Sequence, residues 1–228
     1  MEVIDFVRFG TPTIEQVNTM AKSDLLDDVF AKFSDLVLPK NGSNQILKDL
    51  QNVNNAVKSL KENEKELGYY RAIDKNLYVV FQDWCARRGF ETENLKEKLE
   101  PILIDVNSLI YKLKYHYGRI RPKQLAELLG VDDFLSYTST SADTPSFPSG
   151  HALQICVLGG LLQKAKPELS NAIDEFANQV MRSRFVMGLH FKHDIDIARE
   201  ISQEILENVE FRRKYEDEEI FISKMIMP

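Results

Sequence analysis

Three short clusters hold the residue types that could bind and attack an oxyanion. They are Lys114 with Arg121-Pro122, Pro148-Ser149-Gly150-His151, and Ser183-Arg184 followed by His190 and Asp194. On a continuous helix the spacing of Lys114 and Arg121 is nearly two turns, which would put both cations on one face and let them converge on one anion. Ser149 and Gly150 fall where a helix is predicted to begin, and there free backbone N–H groups and the positive end of the dipole favour phosphate. His151 would lie beside any phosphate held there. His190 and Asp194 are an i, i+4 pair, so the carboxylate can accept a hydrogen bond from one ring nitrogen, which fixes the tautomer. The other nitrogen then keeps its lone pair for nucleophilic attack. Arg184, about two helical turns earlier, would face the same side. Singly, the clusters also read as a solvated helix face, a serine N-cap, and a helix-terminal histidine beside an acid. Together and in this order they supply three cations, a helix N-terminus and two imidazoles, one of them with a carboxylate.

The elements that would position these groups are helices. Gly and Pro number only 10 and 8 in 228 residues, and apolar positions recur at helical rather than alternating spacing. Thr11-Pro12 reads as a cap and first helical residue opening a segment towards Ser23, and a second stretch runs over 24–38. Ser43 caps a helix over 44–66, and another covers 69–88, stopped by Gly89. A long helix is predicted over 93–121, with a kink or break at Pro101 and its end set by Pro122. A short helix at 123–129 leads into an aperiodic loop, Gly130 to Phe147. Helical spacing returns over 149–166, 168–190 and 194–215. The tail from Glu216 begins acidic and ends apolar, which suits docking on the chain's own surface or on a partner subunit, the former being the stronger reading. The expectation is an all-α, single-domain helical bundle over residues 1–228, its first hundred residues covering the core and shaping a pocket.

Composition narrows the partners. With 35 acidic against 29 basic side chains the formal net charge is −6, which offers no basic footprint for a nucleic-acid polymer. The two cysteines, Cys85 and Cys156, indicate no disulfide framework. No apolar run reaches the length of a membrane span, and the N-terminal residues lack the apolar core of a secretory signal. The sequence therefore suggests a cytoplasmic protein with no membrane partner.

Taken together, Lys114, Arg121, Pro122, Pro148, Ser149, Gly150, His151, Ser183, Arg184, His190 and Asp194 resemble the signature of the type 2 phosphatidic acid phosphatase and vanadium haloperoxidase superfamily. The resemblance covers residues 114–194, and within the superfamily it is most similar to the soluble bacterial class A acid phosphatases. Those enzymes are normally exported, and where they often carry a small Gly four residues after the aspartate this chain has Ala198. The resemblance implies the helical bundle of that superfamily and a phosphatase that needs no metal or other cofactor. Its substrates would be soluble monoesters such as nucleotides or sugar phosphates. It also implies that Lys114, Arg121, Ser149, Gly150 and Arg184 bind phosphate, that His190 oriented by Asp194 is the nucleophile, and that His151 is the acid and base. Vanadate or phosphate would occupy the site as analogue or product, and homo-oligomers would match the soluble relatives. The alternatives are a vanadate-dependent haloperoxidase, a metal-dependent phosphohydrolase using His193-Asp194, and a non-catalytic phosphate-binding helical protein. Tyr137 and Phe147 are candidates to stack on a substrate base or to pack in the core, the latter being the stronger reading.

Overall fold

The α-helices of the N-terminal third, the second excepted, begin at side-chain caps. The computed structural model describes residues 3–90 and 92–215, and these form an all-α structure with no strand among them. Thr13, not Thr11, caps α1 (Ile14–Met20), with Gln16 returning the bond in a capping box, and this leaves Pro12 outside the helix. The second predicted stretch shortens to α2 (Asp27–Phe33). Ser43 caps α3 (Asn44–Lys61) as expected, its hydroxyl accepting from Ile46 N. Two asparagines then divide what the periodicity joined. Asn63 caps α4 (Glu64–Lys75), and Asn76 ends α4 while its side chain caps α5 (Leu77–Ala86).

The long helix α6 (Leu95–Tyr117) keeps Pro101 in its second turn and stops before Pro122. Gly118 ends it in the left-handed region, at φ 56°, where a residue with a Cβ is strained. Arg119 to Arg121 run outside any helix, and Pro122 opens α7 (Pro122–Leu128). Lys114 and Arg121 therefore do not share a helix face. They converge because the chain turns at Gly118.

The loop over 130–147 is irregular apart from a 3-10 turn at Thr140–Asp143. It is followed by α8 (Gly150–Ala165), α9 (Ser170–Val186), α10 (Lys192–Glu207) and α11 (Val209–Tyr215). α9 ends four residues before His190, so His190 lies in the turn between α9 and α10. The predicted docking of the tail falls outside the described residues.

α8 is apolar almost all round and is correspondingly enclosed, with α6, α9 and α10 packed about it. α1 and α2 lie across α6. The main core includes Phe81, Leu99, Ile102, Leu153, Phe176 and Ile201. A smaller one gathers Ile46, Leu50, Val53 and Val57 of α3 against Ile120, Leu125, Ala126 and Phe191. Successive residues of the α9–α10 turn are divided between them: Leu189 belongs to the main core and Phe191 to the smaller. His190 is thus pinned where the two meet. No helix of the described residues is long and apolar enough to cross a membrane.

Candidate active site

A cavity of about 620 Å³ opens beside this junction, lined by Lys114, Arg121, Gly150, His151 and His190 among others. Each of these comes from a different local device. Lys114 lies in the last turn of α6 and donates to the carbonyl of Pro145. Arg121 is the residue just before α7, and its guanidinium is fully committed. Nε donates to Thr144 O at 2.7 Å, Nη1 to Leu189 O at 2.9 Å, and Nη2 to Ser141 O at 2.8 Å. The loop over 130–147 is thereby tied to the cavity floor.

Nη1 of Arg121 also lies 3.3 Å from His190 Nε2. A guanidinium can only donate, so Nε2 is the acceptor and the ring proton belongs on Nδ1. Nδ1 faces Asp194 Oδ2 at 3.5 Å, an ion-pair rather than a hydrogen-bond distance. Asp194 sits in the first turn of α10, completely buried, and its Oδ2 accepts from Phe191 N at 3.0 Å. Its backbone carbonyl accepts from Ser149 N at 3.0 Å, which joins the start of α8 to that of α10.

Ser149 does not behave as an ordinary cap. It stands at the N-cap of α8, yet its side chain makes no capping bond, and its buried Oγ has no partner among the described residues. Arg184 is likewise fully buried. Its Nη2 pairs with Asp74 Oδ1 at 2.7 Å and donates to Ser141 Oγ at 3.1 Å, while Nε and Nη1 have no partner. Unsatisfied buried donors are costly, of order 1–3 kcal/mol each and more when charged. Ser149 stands at the N-terminus of the 16-residue α8, and Arg184 lies close enough to act electrostatically on His151 in its first turn, which suits an oxyanion accepting from both. Arg119 Nη2 and His190 Nδ1 are also buried without a hydrogen bond among the described residues.

Burial first, and crowding of like charge after it, set the electrostatics. Burial, with Arg121 next in weight, holds the Lys114 ammonium well below its ordinary value. Burial and Arg184 bring Arg121 down to about 10. Burial and the Arg121 guanidinium depress His190 to about 3, against the opposing pull of Asp194. His151, half-buried in the first turn of α8, is also pushed well below 6.5, by burial and then by Arg184, His190, Lys114 and Arg121. The acid's role that the resemblance gives His151 needs a protonated ring, and burial first, then the surrounding cations, disfavour that form in the unliganded protein. Burial alone would raise the Asp194 carboxyl, but Arg119, His190 and the Phe191 N–H outweigh it and hold it below the usual carboxylate range.

All eight predicted site residues therefore meet. Two others had escaped the sequence reading. Arg119 is buried, pairs through Nη1 with Asp194 Oδ1 at 2.5 Å, and lies over the Phe191 ring at 4.5 Å. Arg119 and Arg121 are two apart, the spacing that puts extended side chains on one side, and they address the two members of the His190–Asp194 pair. The repeat Arg-Ile-Arg, with Ile120 in the smaller core, was the available signal. Asp74 at the end of α4 had none, since its partner Arg184 is 110 residues away.

Other candidates fall away from the cavity. His116 contacts Ser34 O at 2.8 Å and packs on Phe30, and His193 lies half-buried against Phe147. No group of three metal-ligating side chains occurs among the described residues. Phe147 is a core residue, 0% exposed, and Tyr137 lies half-buried beneath Arg71. Ala198 is fully buried in α10. Neither the family models nor the curated proteins with which the chain was compared give a match.

Proposed function

We propose that the protein is a metal-independent phosphatase that hydrolyses phosphate monoesters through a phosphohistidine. The observation that carries this reading is the unpartnered set of buried donors, Ser149 Oγ and Arg184 Nε and Nη1, on residues whose backbones bond to those of Asp194 and His190, together with a His190 tautomer that leaves Nε2 as the nucleophile. The resemblance of residues 114–194 to the phosphatase and haloperoxidase superfamily supports the same assignment.

Phosphoryl transfer depends on positioning and charge neutralisation. Lys114, Arg121 and Arg184 would hold the non-bridging oxygens, with the Ser149 hydroxyl and the Gly150 N–H. On binding, Arg121 Nη1 turns its donor to a phosphate oxygen and frees the His190 Nε2 lone pair. Nε2 attacks phosphorus in line, the P–O ester bond breaks, and the leaving oxygen takes a proton from His151. Water then attacks the phosphohistidine, giving its proton to His151 as the P–N bond breaks, and Asp194 stabilises the imidazolium meanwhile. A phosphate placed among the cations offsets the positive charge that, with burial, disfavours protonated His151, so binding of the substrate favours the proton there.

Release of inorganic phosphate from p-nitrophenyl phosphate, with and without chelator, tests the proposal. Activity that survives the chelator, is blocked by vanadate and is abolished in His190→Ala is expected. Trapping 32P on His190 in an acid-quenched reaction would show the intermediate. Activity unchanged in His190→Ala overturns the assignment.

A further inference from the structure

We propose that Asn107 and Gln154 form a leaving-group subsite that selects phosphate esters of hydroxylated alcohols over alkyl phosphates. The inference rests on the phosphatase reading. The cavity of about 620 Å³ is larger than a phosphate group needs and lies in the size range of small-molecule sites. Asn107, Tyr111 and Lys114 of α6 line it, spaced as i, i+4 and i+7, and His151, Gln154 and Leu158 of α8 line it as i, i+3 and i+7. Both sets mark one helix face. Each wall therefore passes from the catalytic end through an amide.

The two amides are ordered by each other. Gln154 Nε2 donates to Asn107 Oδ1 across the helices at 2.7 Å. This leaves the Asn107 amide with donor capacity and the Gln154 carbonyl as an acceptor, side by side on a cavity wall. Exchanging the oxygen and nitrogen of both amides reverses the order and keeps the pair. A donor beside an acceptor complements neighbouring hydroxyls, each of which gives and takes a hydrogen bond. Gln154 is three residues beyond His151, about 4.5 Å of helix rise, so the pair stands roughly a sugar ring away from the leaving oxygen. An alkyl chain there would leave the remaining Asn107 donor and the Gln154 carbonyl without partners. Glu15 and Asp143 also line the cavity, and among the described residues Lys75 is the one lining cation outside the phosphate-binding set, which disfavours a second phosphate on the leaving group. The ligand chemistry is thus the monophosphate of a polyol, either a free sugar or the ribose of a nucleoside.

The test measures kcat/KM for ribose 5-phosphate, a ribonucleoside and a 2′-deoxyribonucleoside 5′-monophosphate, hexyl phosphate and p-nitrophenyl phosphate. It uses the full chain and the variants Asn107→Leu and Gln154→Leu. The unaltered protein should prefer the ribose esters to hexyl phosphate by at least about 10-fold, and each variant should erase most of that preference, as loss of a partly buried hydrogen bond does. A retained thermal upshift with vanadate shows that a variant is folded, and either folded variant suffices. Ribose 5-phosphate and the ribonucleotide distinguish free sugar from nucleoside as the source, and the deoxynucleotide should fall below its ribose counterpart. Equal use of hexyl phosphate, or a preference unaltered in both variants, overturns the subsite and leaves the phosphatase standing. No turnover of any ester, p-nitrophenyl phosphate included, overturns both.

Discussion

Arg119 never meets the cavity's lining, yet it holds one oxygen of the carboxylate that steers His190. On the proposed mechanism it is a positioning residue, and Arg119→Ala should lower kcat on the order of 10²-fold while moving KM little, since no substrate contact is lost. Removing one partner of a buried pair also destabilises, by about 3–5 kcal/mol, so the rate alone would not separate orientation from folding. The pH profile does. Without Arg119, Asp194 acts more strongly on His190 and raises its depressed pKa, so the acid limb of kcat/KM should move to higher pH, and Arg119→Lys should return it part of the way. An unshifted limb would leave Arg119 a merely structural role. His151 is separable by chemistry of another kind. If it protonates the leaving oxygen, His151→Ala should slow alkyl and sugar esters by about 10²-fold or more but p-nitrophenyl phosphate much less, because that leaving group departs without help. Equal losses on both esters would remove His151 from that role.

The elements that place these residues are the ends of helices and the short turns that join them. Gly188, at φ 75°, closes the turn from α9 to His190, and a Cβ there would lie 3.0 Å from Leu135 O and 2.9 Å from Ser136 Cβ. Tyr137 N donates to Met187 O at 2.9 Å in the same contact. Gly188→Ala should therefore push the turn and the 130–147 loop apart, lowering both Tm and kcat, whereas Gly89→Ala, also at positive φ but with open space around it, should lower Tm alone. Comparable kcat in the two variants would show that the turn does not set the nucleophile. These turns also divide what was legible from what was not. Caps such as Ser43 and stops such as Gly89 act within a few residues, and the sequence shows them directly. The site residues were legible because their types and order are chemically demanding. Their means of convergence was not, because helical spacing between Lys114 and Arg121 looks continuous until Gly118 is known to turn the chain. Asp74 could not be read at all, since a buried ion pair spanning 110 positions leaves no local trace.

For the molecule as a whole, burying two imidazoles beside three cations makes acid the direction of weakness. In the native state His190 resists protonation down to about pH 3, while in the unfolded chain a histidine takes its proton below about 6.5. Between those values the unfolded state binds more protons, so stability falls as pH falls, by at most about 1.4 kcal/mol per pH unit for each such group. His151, also depressed, adds to the same slope. Asp194 acts in the same direction lower down, below about pH 4, where its unfolded carboxyl protonates first. An oxyanion among the cations should restore the imidazoles towards their ordinary values, and anything that binds only the native state stabilises it. The Tm should therefore drop between pH 7 and pH 5 in a non-binding buffer, and added phosphate or vanadate should raise it by more at pH 5 than at pH 7. Arg184→Ala tests the origin of that difference, because it removes both a phosphate donor and the strongest of the charges that depress His151. In that variant the oxyanion-induced rise should shrink at both pH values and its pH dependence should flatten. A rise that persists unchanged would place the oxyanion somewhere other than the cradle at the start of α8.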